Sequence, residues 1–362
     1  MNILFMTAHP LLPQMVGGLQ RSSAQLAEGL MARGHQVFFL GALMPDGWIG
    51  KRDRLLLKLT RKPAVKDHAG GLPTYRGWHP WDAVGHVCRK ERIDLCVVLA
   101  MQPVKMAQQA QRHDIPVVMM LQDVEYHQHG GDFARLGPVP CVANSRFTAD
   151  RFRKDFALDP VVIYPMVDGA KYRTETTREN VTFINPHPKK GLDLALDLAR
   201  NCPDIPFAFV EGWPLTPEDK ASLMERLAPL PNVTLHPTAQ DMRDVYGKAK
   251  LVLAPSQWEE AFGRIGLEPQ FSGIPVIATR IGGFPESVGE GGVLLDRTAD
   301  SGEWTAALRR LWDDDAFYEQ KKAAALAHCA QPCFAISHQL DQWERVIAQA
   351  AHGSLQAENV NG

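Results

Sequence analysis

Short apolar segments alternate with helical patterns along almost the whole chain, and this alternation limits the possible folds more than any other feature of the sequence. In the first half, apolar runs predict buried strands at Asn2–Ala8, Gln36–Leu40, Ile93–Leu99, Pro116–Leu121 and Pro140–Ala143. Helices are predicted between them at Leu19–Arg33, Trp81–Arg92, Val104–His113 and Arg146–Phe156. Strands that are apolar throughout and joined by helices are typical of a parallel sheet covered on both faces.

The same pattern begins again at Val181, after a polar segment that contains Pro165 and Gly169. This second series predicts strands at Val181–Ile184, Phe207–Val210, Val233–Leu235, Leu251–Ala254, Val276–Thr279 and Val293–Leu295, and helices at Leu192–Asn201, Pro217–Leu227, Ala239–Lys248 and Arg264–Ser272. Two α/β series of similar length within 362 residues predict two doubly wound domains, 1–168 and 169–337. A helix over 338–352 and a small, polar, flexible tail over 353–362 complete the predicted organisation.

Composition and residue distribution exclude several classes of protein. The 39 Lys and Arg residues are balanced by 41 Asp and Glu residues, so nucleic acid is not an expected partner. No apolar stretch approaches the roughly 18 residues of a membrane span, and the N-terminus lacks the features of a signal peptide. The six cysteines and 13 histidines are scattered without metal-ligand spacing. We therefore expect reduced thiols, a cytoplasmic location and no bound metal or cofactor.

Two glutamates, Glu260 and Glu268, follow the predicted strand Leu251–Ala254 with seven residues between them. The helix predicted to start near Gly263 would begin outside the carboxyl end of a parallel strand, where open α/β sheets bind ligands. Its first amides and its dipole would attract an anion, and Gly263 would let a phosphate approach the backbone. The alternative is that Glu260 is an ordinary first-turn acid and Glu268 a solvated side chain.

The wider block around these glutamates resembles the donor-site signature of the family 4 glycosyltransferases, which are retaining, nucleotide-sugar-dependent enzymes. The residues that carry the resemblance are Ser256-Gln-Trp-Glu-Glu-Ala-Phe-Gly263, Glu268, Ser272-Gly-Ile-Pro-Val-Ile-Ala278, Gly282-Gly-Phe-Pro-Glu286, Gly17-Gly18, Asn144-Ser-Arg-Phe-Thr148 and Lys189-Lys-Gly191. The resemblance implies a GT-B fold, with two Rossmann-like domains facing a central cleft. It also implies acceptor binding by the N-terminal domain, donor binding by the C-terminal domain, and a final helix that crosses back to the N-terminal domain.

The resemblance assigns roles to individual residues. Two of the catalytic residues that it implies are Glu260, which would contact donor-sugar hydroxyls, and Lys190, which would neutralise the diphosphate leaving group. Glu268 would bind the donor by holding its ribose. Arg264 is the third catalytic residue implied, and with Phe262 and Gly263 it would form the turn around the sugar and diphosphate. Gly17 and Gly18 would face the diphosphate from the first strand–helix turn. Because a departing nucleoside diphosphate gains negative charge, Lys190 and Arg264 would stabilise it without a metal.

The chain departs from the family pattern at two positions. Where relatives usually have a diphosphate-binding arginine, this chain has Ile184, and Asn185, His187 or Lys189 are the alternatives nearby. Where relatives often have a histidine after the strand Pro116–Leu121, this chain has Gln122, followed by Asp123 and His127. Asp123 and His127 are therefore candidates for contact with the acceptor, and the alternative for His127 is a solvated loop residue.

One segment, 51–66, carries seven basic residues against a single acid, Asp53, with four leucines between them. The segment Met44–Pro80 that contains it shows no clear strand. One interpretation is a solvated, charged helix or loop. The other is a peripheral contact with the inner surface of a membrane, in which the leucines enter the interface and the cations meet anionic head groups.

The function predicted from the sequence is retaining, metal-independent transfer of a sugar from a UDP-, GDP- or ADP-sugar to an acceptor. The acceptor classes that remain open are a glycan, a lipid-linked molecule and a small molecule. Two alternatives are a nucleotide-sugar-binding protein without catalytic activity and a nucleotide-sugar 2-epimerase, which shares the fold.

Overall fold

The chain folds into two compact α/β units. The computed structural model describes residues 1–213 and 215–360, with the backbone alone over 352–360. The first unit contains Met1–Met166 and the chain from Ala335 onward, and the second contains Val167–Phe334.

The first unit is built on an eight-stranded sheet within the described residues. Its strands are β1 (Asn2–Pro10), β2 (Gln36–Ala42), β3 (Val65–Asp67), β4 (Thr74–Gly77), β5 (Leu95–Val98), β6 (Val117–Leu121), β7 (Cys141–Ala143) and β8 (Val161–Val162). They lie in the order β3-β4-β2-β1-β5-β6-β7-β8, and all neighbours are parallel except β3 and β4. Leu4 of β1 pairs with Phe38 of β2 and Cys96 of β5, which fixes the register at the centre of the sheet.

Helices cover both faces of this sheet. Successive residues of β1 point to opposite sides, and both sets are buried. Leu4 and Met6 belong to one buried apolar cluster, whereas Ile3 and Phe5 belong to the other. The helices of the unit are α1 (Gly18–Ala32), α2 (Gly47–Thr60), α3 (Pro80–Glu91), α4 (Pro103–Gln111) and α5 (Arg146–Phe156).

Among the residues that the structure describes, the second unit is built on a fully parallel six-stranded sheet. Its strands are β9 (Asn180–Ile184), β10 (Phe207–Val210), β11 (Val233–His236), β12 (Ala249–Ala254), β13 (Val276–Thr279) and β14 (Gly292–Leu295). Its helices are α6 (Leu192–Asn201), α7 (Pro217–Leu227), α8 (Met242–Tyr246), α9 (Phe284–Val288), α10 (Ser301–Asp313) and α11 (Asp315–Cys329). The strand order β11-β10-β9-β12-β13-β14 is the doubly wound order of nucleotide-binding folds. The predicted α/β class is thus confirmed.

The last helix, α12 (Ile336–Val360), packs on the first unit. Leu340, Trp343 and Ile347 join the apolar cluster that contains Leu26 and Leu30 of α1. Arg33, which follows α1, forms ion pairs of 2.6 Å with Asp341 and with Glu344. The helix extends beyond residue 352, where the sequence pattern ends, and positions 361 and 362 of the predicted tail lie outside the described residues.

The expectation that Met44–Pro80 lacks a strand is wrong. The segment contains α2, β3 and β4, and β4 pairs in parallel with β2. Short strands are usually recognised by an apolar run, but here a buried ion pair takes its place: Arg76 Nε of β4 lies 2.7 Å from Asp67 Oδ2 of β3. Both side chains are buried, so the polar residues of this segment gave no sign of the strand pair at the edge of the sheet.

The prediction of an α-helix over Arg264–Ser272 is also wrong. The structure has two 3-10 helices there, Arg264–Gly266 and Glu268–Ser272. Pro269 lacks an N–H group, and its ring would clash with the carbonyl four residues earlier in an α-helix. The argument from an α-helix dipole at Gly263 therefore does not apply to this chain.

None of the helices within the described residues is both long and apolar enough to cross a membrane.

Candidate functional site

The strand order of the second unit changes direction between β9 and β12, which are neighbours in the sheet although β10 and β11 separate them in the chain. Ligands of open α/β sheets bind at such a switch point, outside the carboxyl ends of the strands. The loop after β9 carries Lys190, and the loop after β12 carries Glu260. The two predicted residues therefore come from the two strands that flank the switch point.

Lys190 and Glu260 contact each other directly at this edge of the sheet. The Nζ atom of Lys190 forms a salt bridge with Oε1 of Glu260, and both side chains are less than one-fifth exposed. The Ser256 hydroxyl donates to the same carboxylate oxygen at 3.4 Å, and the Lys190 ammonium lies 4.9 Å from the ring centre of Trp213. The ammonium and carboxylate are thus positioned by packing and remain partly open to solvent.

Two glycines allow the loops to approach this closely. Gly191 has a φ of +84°, and a Cβ atom there would lie 2.0 Å from the carbonyl oxygen of Pro255. Gly263 has a φ of +77°, and a Cβ atom there would lie 2.6 Å from the ring of Phe284. Both positions favour glycine by conformation and by space, so the Lys-Gly and Phe-Gly pairs have a geometric cause.

Arg264 and Glu268 form a second, more deeply buried ion pair. Arg264 Nε lies 2.8 Å from Glu268 Oε1, and each side chain is 9% exposed. The Arg264 guanidinium also donates to the Tyr172 hydroxyl at 2.7 Å, and Glu268 Oε2 accepts from the Tyr246 hydroxyl at 3.2 Å. Burial is the largest single effect and lowers the pKa of Arg264, but the charge and hydrogen bonds of Glu268 and Tyr172 together raise it more, so the net shift is upward. Burial, followed by the nearby Glu268, raises the pKa of Tyr246 well above its usual range.

The predicted residues of the second unit therefore fall into two pairs, Lys190 with Glu260 and Arg264 with Glu268. Phe262, which lies between Glu260 and Arg264 along the chain, is buried and packs near Phe334. Tyr172 and Tyr246 were not predicted as site residues, because each tyrosine lies far from the motif along the chain and follows no recognisable spacing.

The residues around Ile184 are engaged with neighbouring groups. Asn185 Oδ1 accepts the backbone N–H of Trp213 at 3.1 Å, and His187 Nδ1 accepts that of Lys189 at 3.2 Å. The Lys189 ammonium lies 4.0 Å from the ring centre of Trp258. Of the alternatives to the family arginine, Lys189 is the one that brings a full positive charge to this loop.

In the first unit, Gly17 and Gly18 lie where the chain turns from β1 into α1. Gly17 is the extended residue before the helix, and Gly18 is its first residue. A Cβ atom on Gly17 would lie 2.9 Å from Oε1 of Gln20. The glycines thus place the bare backbone at the start of a 15-residue helix, beyond the carboxyl end of the central strand.

Asp123 and two histidines follow β6 of the same sheet. Asp123 Oδ1 lies 3.9 Å from Nε2 of His129, which packs among Tyr126 and Phe152. Burial raises the pKa of Asp123 to about 6 and lowers the pKa of His129 to about 4. His127 is exposed and lies beside Gln128. Within the described residues, Oε1 of Gln122 is buried without a hydrogen-bond partner.

The histidine next to Asp123 is thus His129, which was not among the residues predicted from the sequence. The signal was present, since His127 and His129 are two residues apart, but only the fold shows which of them turns inward.

Family models match both units of the chain. Residues 16–171 match the model described as Glycosyltransferase Family 4, and residues 182–314 match the model described as Glycosyl transferases group 1. The D-inositol 3-phosphate glycosyltransferase of Segniliparus rotundus is 30% identical over 217 residues, which are 52% of this chain and 48% of that protein. The same enzyme of Corynebacterium diphtheriae is 40% identical over 114 residues, 31% of this chain and 26% of that protein. The chain thus spans about half or less of the curated relatives that it matches.

Solved structures resemble the chain over nearly its whole length. Anabaena Alr3699/HepE in complex with UDP-glucose has a TM-score of 0.74 at 19% identity, covering 96% of this chain and 99% of that one. WaaG, a glycosyltransferase involved in lipopolysaccharide biosynthesis, has a TM-score of 0.65 at 16% identity, covering 92% and 97%. At these identities the likeness concerns the fold.

Proposed function

We propose that this chain, which belongs to the family 4 glycosyltransferases and has their α/β GT-B fold, transfers a sugar from a nucleoside diphosphate sugar to an acceptor hydroxyl. The observation that carries the proposal is the Lys190–Glu260 pair at the switch point of the second sheet. One ammonium and one carboxylate at that position match the two parts of such a donor, which are an anionic diphosphate and a polyhydroxyl sugar.

The proposed reaction uses the charge of Lys190 on the leaving group. As the bond between the anomeric carbon and the diphosphate oxygen breaks, negative charge grows on the diphosphate, and a preorganised ammonium stabilises it. Glu260 then exchanges its contact with Lys190 for hydrogen bonds from donor-sugar hydroxyls, which orients the sugar for attack. In this proposal no step requires a metal, and neither glutamate becomes covalently attached to the sugar.

Arg264 and Glu268 have a different part in the proposal. Because their charges already neutralise each other in a buried pair, they form a rigid wall of the donor site rather than a mobile charge. The outer edge of the Glu268 carboxylate is the proposed contact for the ribose hydroxyls. Gly17 and Gly18 remain the proposed donor-binding residues of the first unit, and Asp123 remains the proposed acceptor contact there.

The proposed donor is a UDP-, GDP- or ADP-sugar, and the UDP-sugar is the first to test because Alr3699/HepE was solved with UDP-glucose and with UDP. The test is to incubate the protein with each donor, a panel of acceptors and EDTA, and to determine the products by NMR. The expected product keeps the anomeric configuration of the donor. Donor binding without transfer to any acceptor would favour the non-catalytic alternative, and an epimerised donor without acceptor would favour the 2-epimerase.

A further inference from the structure

The basic segment of the first unit is an amphipathic helix with a cationic outer surface. Its structure is α2, followed by a short loop and β3. The inner side of α2 is held by Ile49 and Leu57, which pack with Leu43 and Val65 in a small apolar cluster. The outer side is exposed, so its side chains are free to contact a partner.

The single acid of the segment is turned inward. Asp53 is fully buried and lies 2.6 Å from Arg52 Nε. Lys66 is paired with Glu91 at 3.0 Å. Within the part of the chain that the structure describes, the other five cations make no ion pair, and these are Lys51, Arg54, Lys58, Arg61 and Lys62. The outer surface of α2 is therefore positive without an internal counter-charge.

Four of these five cations border a groove of about 720 Å³ beside α2. Arg54, Lys58, Arg61 and Lys62 line it together with the half-exposed indole of Trp78. Of the described residues that line the groove, only Asp82 is acidic. Arg61 ends the helix at a φ of +53°, a conformation that favours glycine, so a cation occupies a position where glycine would be less strained. The groove thus combines several unpaired cations with an aromatic wall, which suits a phosphate-bearing group.

An apolar stripe lies next to the cations on the same helix. Trp48, Leu55 and Leu59 are spaced by seven and four residues, which places them on one face of α2. Their exposed fractions are 63%, 57% and 71%. A single exposed leucine is ordinary, but three large apolar side chains on one helix face form an exposed apolar patch, a feature that marks interaction sites. A soluble anion would neutralise the cations but would leave this stripe in water, whereas a bilayer surface would satisfy both.

We propose that α2 and its groove dock the protein on an anionic lipid bilayer, with Trp48, Leu55 and Leu59 in the interface and a lipid phosphate in the groove. The arrangement is that of an interfacial amphipathic helix, in which buried apolar area and attraction to anionic lipids add together. The proposal goes beyond the transfer reaction and does not depend on it, since the proposed donor pair lies in the second unit.

The test is sedimentation of the full chain with vesicles of phosphatidylcholine alone or of phosphatidylcholine and phosphatidylglycerol in equal parts. We expect binding to the anionic vesicles only, and release when salt is raised from about 0.1 M to about 1 M, because the Debye length falls from about 10 to about 3 Å. The variant Lys58→Gln/Arg61→Gln/Lys62→Gln should bind on the order of a hundredfold more weakly. The matched control Arg112→Gln/Arg135→Gln/Lys154→Gln removes three exposed cations elsewhere on the same unit and should bind like the wild type.

A second variant, Leu55→Gln/Leu59→Gln, tests the apolar stripe and should weaken binding several-fold without removing charge. The proposal is overturned if the wild type stays in the supernatant, if the control triple loses as much binding as the groove triple, or if the leucine variant binds unchanged. Displacement from vesicles by millimolar glycerol 1-phosphate would instead identify a site for a free phosphate ester. Nucleoside diphosphate binding, measured by thermal shift, should be equal in all these variants. This measurement separates the present test from that of the transfer reaction.

Discussion

Lys190 and Glu260 are seventy residues apart in the chain, yet the ammonium of one pairs with the carboxylate of the other. The strands before them, β9 and β12, are neighbours in the sheet, and Gln257 N–H donates to the Lys189 carbonyl at 2.9 Å to join the two loops. The pair is therefore a product of the doubly wound strand order. A donor that enters this site must separate the two charges or bind around them, and the first two predictions depend on this.

Replacing Lys190 by alanine should weaken the binding of a nucleoside diphosphate far more than the binding of the nucleoside. A lost charge-assisted contact costs about 1.5–3 kcal/mol, or about ten- to hundredfold in the dissociation constant. The matched control is Lys248→Ala, which should leave both affinities unchanged, since Lys248 is exposed and precedes β12, at the opposite end of the strands from Lys190. Calorimetric titration with both ligands is the measurement. Equal weakening of nucleoside and nucleoside diphosphate would mean that Lys190 does not contact phosphate.

The two glutamates should respond differently to substitution by glutamine. Glu268→Gln leaves Arg264 buried without its counter-charge. We therefore expect a loss of about 3 kcal/mol in the free energy of unfolding and a larger dissociation constant for the donor. Glu260→Gln should mainly depress turnover, because sugar alignment matters most as the bond breaks.

Urea unfolding, donor titration and steady-state kinetics on both variants measure these effects. The exposed Glu225→Gln serves as the control and should change neither stability nor donor binding. If Glu260→Gln lost affinity while Glu268→Gln lost turnover, the two assignments would have to be exchanged.

Gly191 should be far more sensitive to alanine than a glycine of the same conformation in open space. Gly71 also has a φ of +84°, but a Cβ atom there meets nothing within 4 Å. Gly71→Ala should therefore cost only the left-handed conformation, about 1–2 kcal/mol. Gly191→Ala should cost more and also weaken nucleoside diphosphate binding, because the new methyl group displaces the Pro255 carbonyl and the loop beside Lys190. Similar losses of stability in the two variants would contradict this geometry.

Asp123 and His129 should give opposite contributions to the pH dependence of stability. The pKa of Asp123 is raised from 3.8 to about 6, so its contribution to the free energy of unfolding is full below 3.8 and is lost as the pH rises through 6. The pKa of His129 is lowered from 6.5 to about 4, so its contribution is full above 6.5 and is lost as the pH falls toward 4. Between these limits the two dependences oppose each other.

Asp123→Asn should therefore become less stable, relative to the wild type, by about 1 kcal/mol for each pH unit from 6 down to 4. His129→Phe should show the opposite trend over the same range. Urea unfolding at several pH values is the measurement. Parallel pH profiles for the wild type and Asp123→Asn would show that the carboxyl titrates normally in the fold.

The sequence was most informative where an element follows a single period. The strands Phe207–Val210 and Val276–Thr279 and the helices Arg146–Phe156 and Leu192–Asn201 have the predicted bounds. The two strands are buried at every residue and the two helices along one side only, and both patterns are visible in the sequence. The doubly wound order follows from such elements, because parallel strands with helical connections have few alternative arrangements.

The rest depended on contacts that no local pattern encodes. Strand β4 was hidden because Arg76 is buried with Asp67 instead of an apolar side chain. Arg264 and Glu268 are four residues apart, a spacing that would pair them in an α-helix as well. The sequence did not show their burial against the distant Tyr172 and Tyr246. The contact between Asp123 and His129 could not be predicted from the sequence either, since the aromatic cluster that turns His129 inward includes the distant residue Phe152.

The central claim is that the second unit binds a nucleoside diphosphate at the Lys190–Glu260 pair without a metal. The most direct measurement is a thermal-shift screen of UDP, GDP and ADP, each with its nucleoside, in the presence of EDTA. At a concentration one hundred times its dissociation constant, the right nucleoside diphosphate should add about 2.7 kcal/mol to the stability of the wild type. The gain should be much smaller for the nucleoside and for Lys190→Ala. Stabilisation by none of the three diphosphates at millimolar concentration, or only after Mg²⁺ or Mn²⁺ is added, would contradict the claim.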